Sequence, residues 1–216
     1  MYEPGIGLDP ENSARMSRID GEFRKAFQLL EDLPKSISVF GSNVVVEGNQ
    51  YYGEARRLAA RLAKELKYAV VTGGGPGIME AANRGAAEVG GKSVGFTIDI
   101  AHAEPSNKFA NEELAFHYFF TRKVALSFAA SMYVFFPGGY GTLDEFFEIV
   151  TLVQTGKIQP IPIYCFGTRY WQPVQRMLDT YALKDGYIRD TDLQIFKITD
   201  DHDEIIEAAR QAPERE

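Results

Sequence analysis

The sequence predicts an α/β protein: a single Rossmann-like domain in which helices cover both faces of a parallel sheet. Three observations predict it. Short apolar runs alternate with amphipathic stretches of helical period along most of the chain. Glycine-rich turns follow three of these runs, as in the βα turns of parallel sheets. Of the 216 residues, 45% are apolar, which is enough to build the buried core that such a sheet needs.

The first predicted element is an amphipathic helix from Ser17 to Leu33, preceded by a loose arm at residues 1–16. Its apolar residues recur every three or four positions, and Pro34 is expected to end it. This assigns residues 1–36 to an amino-terminal arm and helix, and residues 37–212 to the Rossmann-like domain.

Strands and helices then alternate along the remainder of the chain. Residues 99–113 contain proline, serine and two asparagines and are predicted to form a surface loop. Strands are predicted at 37–40, 69–71, 93–98, 114–120, 132–136, 161–166 and 195–198, and helices at 51–66, 77–89, 122–130, 142–154, 170–183 and 201–212.

Composition excludes several classes of function. The net charge of −7 disfavours non-specific binding to nucleic acid. The most apolar stretch, residues 124–136, is too short to span a bilayer, and no signal peptide is predicted, so a cytoplasmic location is expected. The single cysteine, Cys165, allows no intrachain disulfide, and His102, His117 and His202 lack metal-ligand spacing. We therefore predict no metal.

Two glycine loops resemble each other in sequence. Residues 74–80 align with residues 138–144, and each loop follows a predicted strand and opens a helix. Glycine allows a close ligand approach, and a helix N-terminus attracts anions, so the pair predicts phosphate cradles. The alternative is that the glycines only permit tight turns.

Neither loop is a P-loop or a strict G-x-G-x-x-G, which favours a mononucleotide or sugar phosphate over a dinucleotide. The candidate binding residues are Ser42, Gly73, Gly74, Gly75, Lys123, Gly138, Gly139, Tyr140, Gly141, Thr142, Asp144 and Thr151.

Glu145 allows two interpretations that can both hold. With Thr142 it matches the T-x-x-E capping box, in which the carboxylate only satisfies backbone N–H groups. Alternatively, the helix end keeps it ionised and facing a ligand, where it stabilises a developing cation or activates water. Arg122 and Lys123 open another predicted helix. Because cations oppose the dipole there, the pair favours a binding role over a merely exposed one.

Residues 137–145 match the pattern P-G-G-x-G-T-x-x-E, and the chain resembles the Lonely Guy family over about residues 38–166. Residues 72–86 resemble the first nucleotide loop of its broad bacterial branch, and Arg122-Lys123 stands where the family has its R-K pair. One departure is Asn43-Val44 after Gly41-Ser42, where many relatives carry other residues, one of them basic.

The resemblance implies hydrolysis of the N-glycosidic bond of a nucleoside 5′-monophosphate, either AMP or a cytokinin riboside monophosphate. Free base and ribose 5-phosphate would be released without any cofactor. It makes Arg122 and Glu145 the catalytic pair, assigns the 5′-phosphate to the loops, and implies a homodimer or larger assembly. The family was long described as lysine decarboxylases, but nothing here marks a Schiff-base lysine for pyridoxal phosphate. The alternative is a non-catalytic nucleotide or molybdenum-cofactor carrier on the same fold.

Overall fold

The parallel sheet runs through the centre of the protein, for which a computed structural model describes residues 9–33, 35–99 and 106–213. Within those residues the sheet has seven strands in the order β4-β3-β2-β1-β5-β6-β7, and every neighbouring pair is parallel. The strands are β1 Ser36–Phe40, β2 Ala69–Thr72, β3 Ser93–Ile98, β4 Glu112–Phe116, β5 Met132–Phe135, β6 Ile163–Phe166 and β7 Lys197–Thr199. The predicted fold class is confirmed. The strand order reverses between β1 and β5, where such sheets bind ligands.

Helices cover both faces of the sheet. They are α1 Pro10–Glu31, α2 Gln50–Leu66, α3 Ile78–Glu88, α4 Phe119–Phe128, α5 Tyr140–Gln154, α6 Thr168–Met177 and α7 His202–Gln211. A π-helical segment, Leu178–Leu183, continues α6, and a 3-10 helix at Asp190–Gln194 precedes β7.

The side-chain alternation of the strands builds two separate cores. In β5, Met132 and Val134 point to a core shared with α2, α3 and α7, whereas Tyr133 and Phe135 point to the opposite core. The second core contains residues from α1, α4, α5 and α6, with Trp171 fully buried in it. Both faces of the central strands β1, β2, β5 and β6 are thus buried, which explains their continuous apolar runs.

Several predicted boundaries are wrong, and three of them have a local cause. The first helix begins at Pro10 and not at Ser17, because Asp9 caps it by accepting the Asn12 N–H at 2.9 Å. The predicted strand 114–120 is split: β4 ends at Phe116, and the aromatic run that follows opens α4. β7 covers 197–199 and not 195–198, because Ile195 directly follows the 3-10 helix.

Some predictions fall on residues 1–8, 34, 100–105 and 214–216, outside the described part of the chain. They include the first half of the predicted arm, the helix-ending Pro34 and His102. Across the stretches that are described, no helix is both long and apolar enough to cross a membrane.

Candidate active site

A cavity of about 730 Å³ opens at the carboxyl ends of the central strands. It lies where the turns after β1, β2 and β5 meet the start of α4, at the switch point of the sheet. The residues that these turns, α4 and α5 contribute to the cavity wall include Gly41, Ser42, Asn43, Gly73, Gly74, Gly75, Arg122, Gly139, Tyr140, Gly141, Thr142 and Glu145. The three glycine-containing turns predicted from sequence are therefore brought together.

The first glycine loop, between β2 and α3, is held by a buried polar network. Gly74 and Gly77 have φ angles of +72° and +73°, a region that glycine adopts without strain. Behind the loop, Asn83 accepts the Thr72 hydroxyl at 2.6 Å and an amide N–H of Asn107 at 2.9 Å. Asn107 also donates to the Gly75 carbonyl at 3.0 Å. The loop is thus fixed in shape before any ligand arrives.

Ser42 connects the three turns through its backbone. Its N–H donates to the Pro137 carbonyl at 3.0 Å, and its carbonyl accepts the Ile78 N–H at 2.9 Å. The first N–H of α3 is therefore already used within the protein. Ser42 also lines the cavity, where the sequence predicts a binding residue. The backbone of Ser42 joins the loops.

The second glycine loop leaves the N-terminus of α5 open to the cavity. Among the described residues, no side chain caps this helix at Gly139, and the residues of its first turn line the cavity. Added Cβ atoms at Gly139 and Gly141 would meet nothing within 4 Å, and neither residue has a positive φ. The fold therefore does not require glycine at either position. We interpret the absence of side chains there as open space for a ligand. An anion would be held there by N–H groups and the helix dipole.

Replacing Gly141 with alanine is expected to weaken substrate binding without unfolding the protein. The new methyl group would occupy the open space beside the helix end, raising KM on the order of tenfold, equivalent to one weakened charge-assisted hydrogen bond. Stability should stay equal or rise by up to about 1 kcal/mol. Gly21→Ala is the matched control, since Gly21 lies within α1 with nothing within 4 Å of an added Cβ. A Gly141→Ala enzyme with normal KM would contradict the assignment.

Arg122 lies in α4 and reaches across the carboxyl ends of β2 and β3. Its Nε–H donates to the Phe96 carbonyl at 2.6 Å and its Nη2 to the Gly73 carbonyl at 3.1 Å. Burial lowers the pKa of the guanidinium, and the nearby Glu145 carboxylate opposes that change. Two of the five N–H groups of arginine are thus fixed on the backbone, which leaves three for the cavity.

Glu145 projects from α5 into the cavity and is only 8% exposed. Its Oε2 is buried without a hydrogen-bond partner in the described residues. Burial raises the pKa of the carboxyl group from 4.5 to about 7, and the charge of Lys123 partly offsets this. A carboxyl group with such a pKa can exchange protons near neutral pH.

The predicted capping box at Thr142 and Glu145 is not formed. The helix begins one turn earlier than the motif implies, with Gly139 at the N-cap, so Thr142 lies inside the first turn. Glu145 is consequently in the second turn, where the N–H groups are already bonded within the helix. The sequence also predicts that the helix end keeps this carboxylate ionised. In the structure burial has the larger effect and raises the pKa of the carboxyl group to about 7.

Lys123 does not face the cavity but joins α4 to α5. Its ammonium group lies 2.6 Å from Oδ2 of Asp144 and 2.6 Å from Oε2 of Glu148. The two carboxylates flank Glu145 along the helix, so the lysine fixes α5 beside α4. The sequence predicts that Lys123 binds the ligand, whereas the structure places it in ion pairs. Neighbouring residues on a helix point about 100° apart, so Lys123 points away from the cavity that Arg122 faces.

The remaining predicted positions divide into two groups. Gly138 and Thr151, like Lys123, are absent from the cavity wall: the Gly138 carbonyl accepts the Tyr170 hydroxyl at 2.7 Å, and the Thr151 hydroxyl donates to the Phe147 carbonyl at 2.7 Å. The predicted residues that do line it are Ser42, Gly73, Gly74, Gly75, Arg122, Gly139, Tyr140, Gly141, Thr142, Asp144 and Glu145.

The cavity does not suit pyridoxal phosphate. That cofactor needs a lysine for its Schiff base, and none of the described residues lining the cavity is a lysine. Lys123, which follows Arg122 on α4, is held in its two ion pairs. Within the described ranges there is also no group of three His, Cys, Asp or Glu side chains that could hold a metal ion.

Comparison with known proteins identifies relatives by sequence. Residues 79–209 match the family model described as possible lysine decarboxylase. The chain is 26% identical over 157 residues to the cytokinin riboside 5′-monophosphate phosphoribohydrolase of Rhodococcoides fascians, covering 72% of this chain and 79% of that protein. It is 28% identical over 194 residues to the pyrimidine/purine nucleotide 5′-monophosphate nucleosidase of Escherichia coli K12, of which it spans 41%.

Solved structures share the fold at lower identity. The molybdenum cofactor carrier protein of Chlamydomonas reinhardtii superposes with a TM-score of 0.61 at 19% identity, covering 83% of this chain and 98% of that one. The molybdenum cofactor binding protein of Rippkaea orientalis has a TM-score of 0.60 at 15% identity, covering 82% and 96% respectively. At these identities the likeness is one of fold.

Proposed function

The chain belongs to the Lonely Guy family, whose model carries the older description of possible lysine decarboxylase, and from that premise we propose that it hydrolyses nucleoside 5′-monophosphates. The bond cleaved is the N-glycosidic bond, and the products are free base and ribose 5-phosphate. The substrates proposed are AMP or a cytokinin riboside monophosphate, in keeping with the names of the sequence relatives.

One observation carries the proposal. The buried carboxylate of Glu145, whose Oε2 has no hydrogen-bond partner among the described residues, shares its cavity with the N-terminus of α5, which no side chain caps there. The helix end suits a phosphate group, and the carboxylate suits a sugar carbon that becomes positive. A nucleoside monophosphate has both features on one ribose, with phosphate at C5′ and the breaking bond at C1′.

The proposed mechanism uses groups of this chain and a water molecule. As the C1′–N bond breaks, its electron pair leaves with the base and positive charge develops on the ribose. Ionised Glu145 stabilises that charge and accepts a proton from the attacking water, as carboxylates do in glycoside hydrolysis. Arg122 stays charged and is assigned to holding the ribose phosphate or the departing base. The leaving base takes its proton from solvent.

AMP is expected to be cleaved at least about 100-fold more efficiently than adenosine, measured as kcat/KM. The difference corresponds to two charge-assisted hydrogen bonds between phosphate and the open end of α5. Chromatography should find adenine and ribose 5-phosphate in equal amounts. Adenosine plus inorganic phosphate would show a phosphatase and overturn the proposal, and tight AMP binding without turnover would favour the carrier alternative.

We also propose a homodimer or larger assembly that covers aromatic side chains beside the cavity. Phe119 and Phe120, at the start of α4, are each about half exposed, and Phe27 and Phe128 form a second exposed pair with ring centroids 5.9 Å apart. Burying them against a second copy would remove an apolar patch from water. Light scattering at micromolar concentration should give at least twice the monomer mass of 24.1 kDa. A monomer mass would contradict this.

A further inference from the structure

A buried carboxylate outside the cavity contacts the helix that carries Arg122. Glu22, on α1, is 9% exposed. Its Oε1 accepts the backbone N–H of His117 at 2.9 Å, and its Oε2 accepts the Thr121 hydroxyl at 2.5 Å. Both partners belong to the β4–α4 junction, which is distant from Glu22 in sequence. Nothing in the sequence pattern of α1 distinguishes this glutamate from its exposed acidic neighbours.

The start of α4 lacks a cap of its own. Within the described residues, the side chain of its N-cap residue, Tyr118, makes no capping hydrogen bond, and the first turn contains no acidic residue. This helix end is instead held from outside by Glu22, which accepts the His117 N–H just before the helix and the Thr121 hydroxyl within its first turn. The α1 helix that carries Glu22 is anchored by the buried residues Ala26 and Leu30.

The contact leads directly to Arg122. The Thr121 hydroxyl, held by Glu22, also lies 2.8 Å from the Tyr118 carbonyl, which accepts the Arg122 N–H at 3.3 Å. Arg122 in turn sets its guanidinium on the carbonyls of Phe96 and Gly73. A shift of the first turn of α4 would therefore move the guanidinium away from both carbonyls.

We propose that Glu22 is a positioning residue, which fixes the first turn of α4 through its two hydrogen bonds and so places Arg122 for catalysis. This inference rests on the proposed function for its kinetic readout. It makes the amino-terminal helix part of the working site, although α1 contributes no residue to the cavity wall.

The hydrogen bonds and the charge can be separated by two substitutions. In Glu22→Gln, the amide oxygen still accepts the His117 N–H, while the amide NH₂ donates to the Thr121 oxygen, whose proton goes to the Tyr118 carbonyl. His117, Thr121 and Tyr118 all keep their hydrogen-bond partners, and the charge is lost. In Glu22→Ala both acceptors are lost. Asp20→Ala is the matched control, because Asp20 is an exposed carboxylate on the same helix that pairs with Arg24.

The kinetic experiment is a double-mutant cycle on AMP hydrolysis. We expect Glu22→Ala to lower kcat by about tenfold or more, as misplacement of a catalytic group does. Glu22→Gln and Asp20→Ala should stay within about twofold of the parent. In an Arg122→Ala background, Glu22→Ala should cost less than about twofold further, because its effect passes through the arginine. Equal losses in both backgrounds, or a Glu22→Gln as impaired as Glu22→Ala, would overturn the proposal.

A second measurement does not depend on activity. The Nε–H signal of Arg122 in ¹H–¹⁵N spectra is assigned by its disappearance in Arg122→Lys. It should move and exchange faster with water in Glu22→Ala, and stay in place in Glu22→Gln. If the parent protein fails to cleave AMP, the proposed function fails while this signal still decides the role of Glu22. An unchanged signal in folded Glu22→Ala would overturn it.

Discussion

Glu145→Gln is expected to lower kcat on AMP by at least about 100-fold, the loss typical of one well-placed electrostatic group. The amide can neither balance the charge on the ribose nor accept a proton from water. Nucleotide binding should largely survive, because the phosphate is assigned to the end of α5. The parent enzyme should need the ionised carboxylate, so kcat should fall about tenfold per pH unit well below the pKa of about 7.

The same substitution should stabilise the protein at alkaline pH. Burial raises the pKa of Glu145 from 4.5 to about 7, so the ionised folded form carries a cost on the order of 3 kcal/mol above pH 7. Between pH 7 and 4.5 the folded state takes up a proton before the unfolded state does, and the cost disappears. Glu145→Gln should therefore raise Tm most above pH 7 and little near pH 4.5.

Thermal melting and a rate assay across pH 5 to 9 check both effects. Glu148→Gln is the control, because Glu148 lies one turn further along α5, is ion-paired with Lys123 and is outside the cavity wall. Because the charge of Glu148 raises the pKa of Glu145, Glu148→Gln should change kcat at pH 9 by less than about threefold and give a smaller alkaline stabilisation than Glu145→Gln. The phosphate of AMP also titrates, with a pKa near 6, and this adds to the pH dependence of the rate. The pH profile of the residual Glu145→Gln activity shows the phosphate effect alone. A rate that falls above pH 7 would mean that Glu145 acts as an acid.

Arg122→Lys is expected to be nearly as inactive as Arg122→Ala, each losing about 100-fold in kcat/KM. The guanidinium spans the Phe96 and Gly73 carbonyls and still presents three N–H groups to the cavity. A single ammonium group cannot reach both carbonyls and the ligand together. Two of the arginine donors are used on these backbone carbonyls, which fixes the orientation of the guanidinium.

Lys123→Met is the contrasting variant for the same kinetic assay. Because Lys123 is ion-paired outside the cavity wall, kcat at pH 9 should fall by less than about tenfold. Its charge lowers the pKa of Glu145, so the acidic limb of the rate profile should move to higher pH. Arg122→Lys with near-normal kcat would show that charge alone suffices and that the carbonyl contacts are dispensable.

The sheet, its helices and the three glycine turns could be predicted because they depend on local patterns. Apolar periodicity and glycine at strand ends mark βα units along the chain itself. The errors arose where a boundary depended on one contact. Asp9 caps a helix that begins seven residues before the predicted start, and Gly139 replaces Thr142 as the N-cap of α5. Periodicity reports the apolar face of a helix but not its first residue.

The residues that support the site were missed because their partners are distant in the chain. Asn83 lies on the buried face of α3, where a polar residue among alanines was a usable signal. Asn107 and Glu22 gave none, since each lies in a polar stretch and finds its partners only in the folded protein. The ion pairs of Lys123 were missed for a related reason: its two carboxylate partners are on another helix.

The most direct test of the account is a crystal structure of Glu145→Gln with AMP. The phosphate should accept hydrogen bonds from the first N–H groups of α5, beside Gly139 and Gly141, with C1′ about 3 to 3.5 Å from the introduced side chain. The remaining donors of Arg122 should contact the nucleotide. AMP bound outside this cavity, or with its base at the end of α5 and C1′ remote from position 145, would contradict the proposed site and its chemistry.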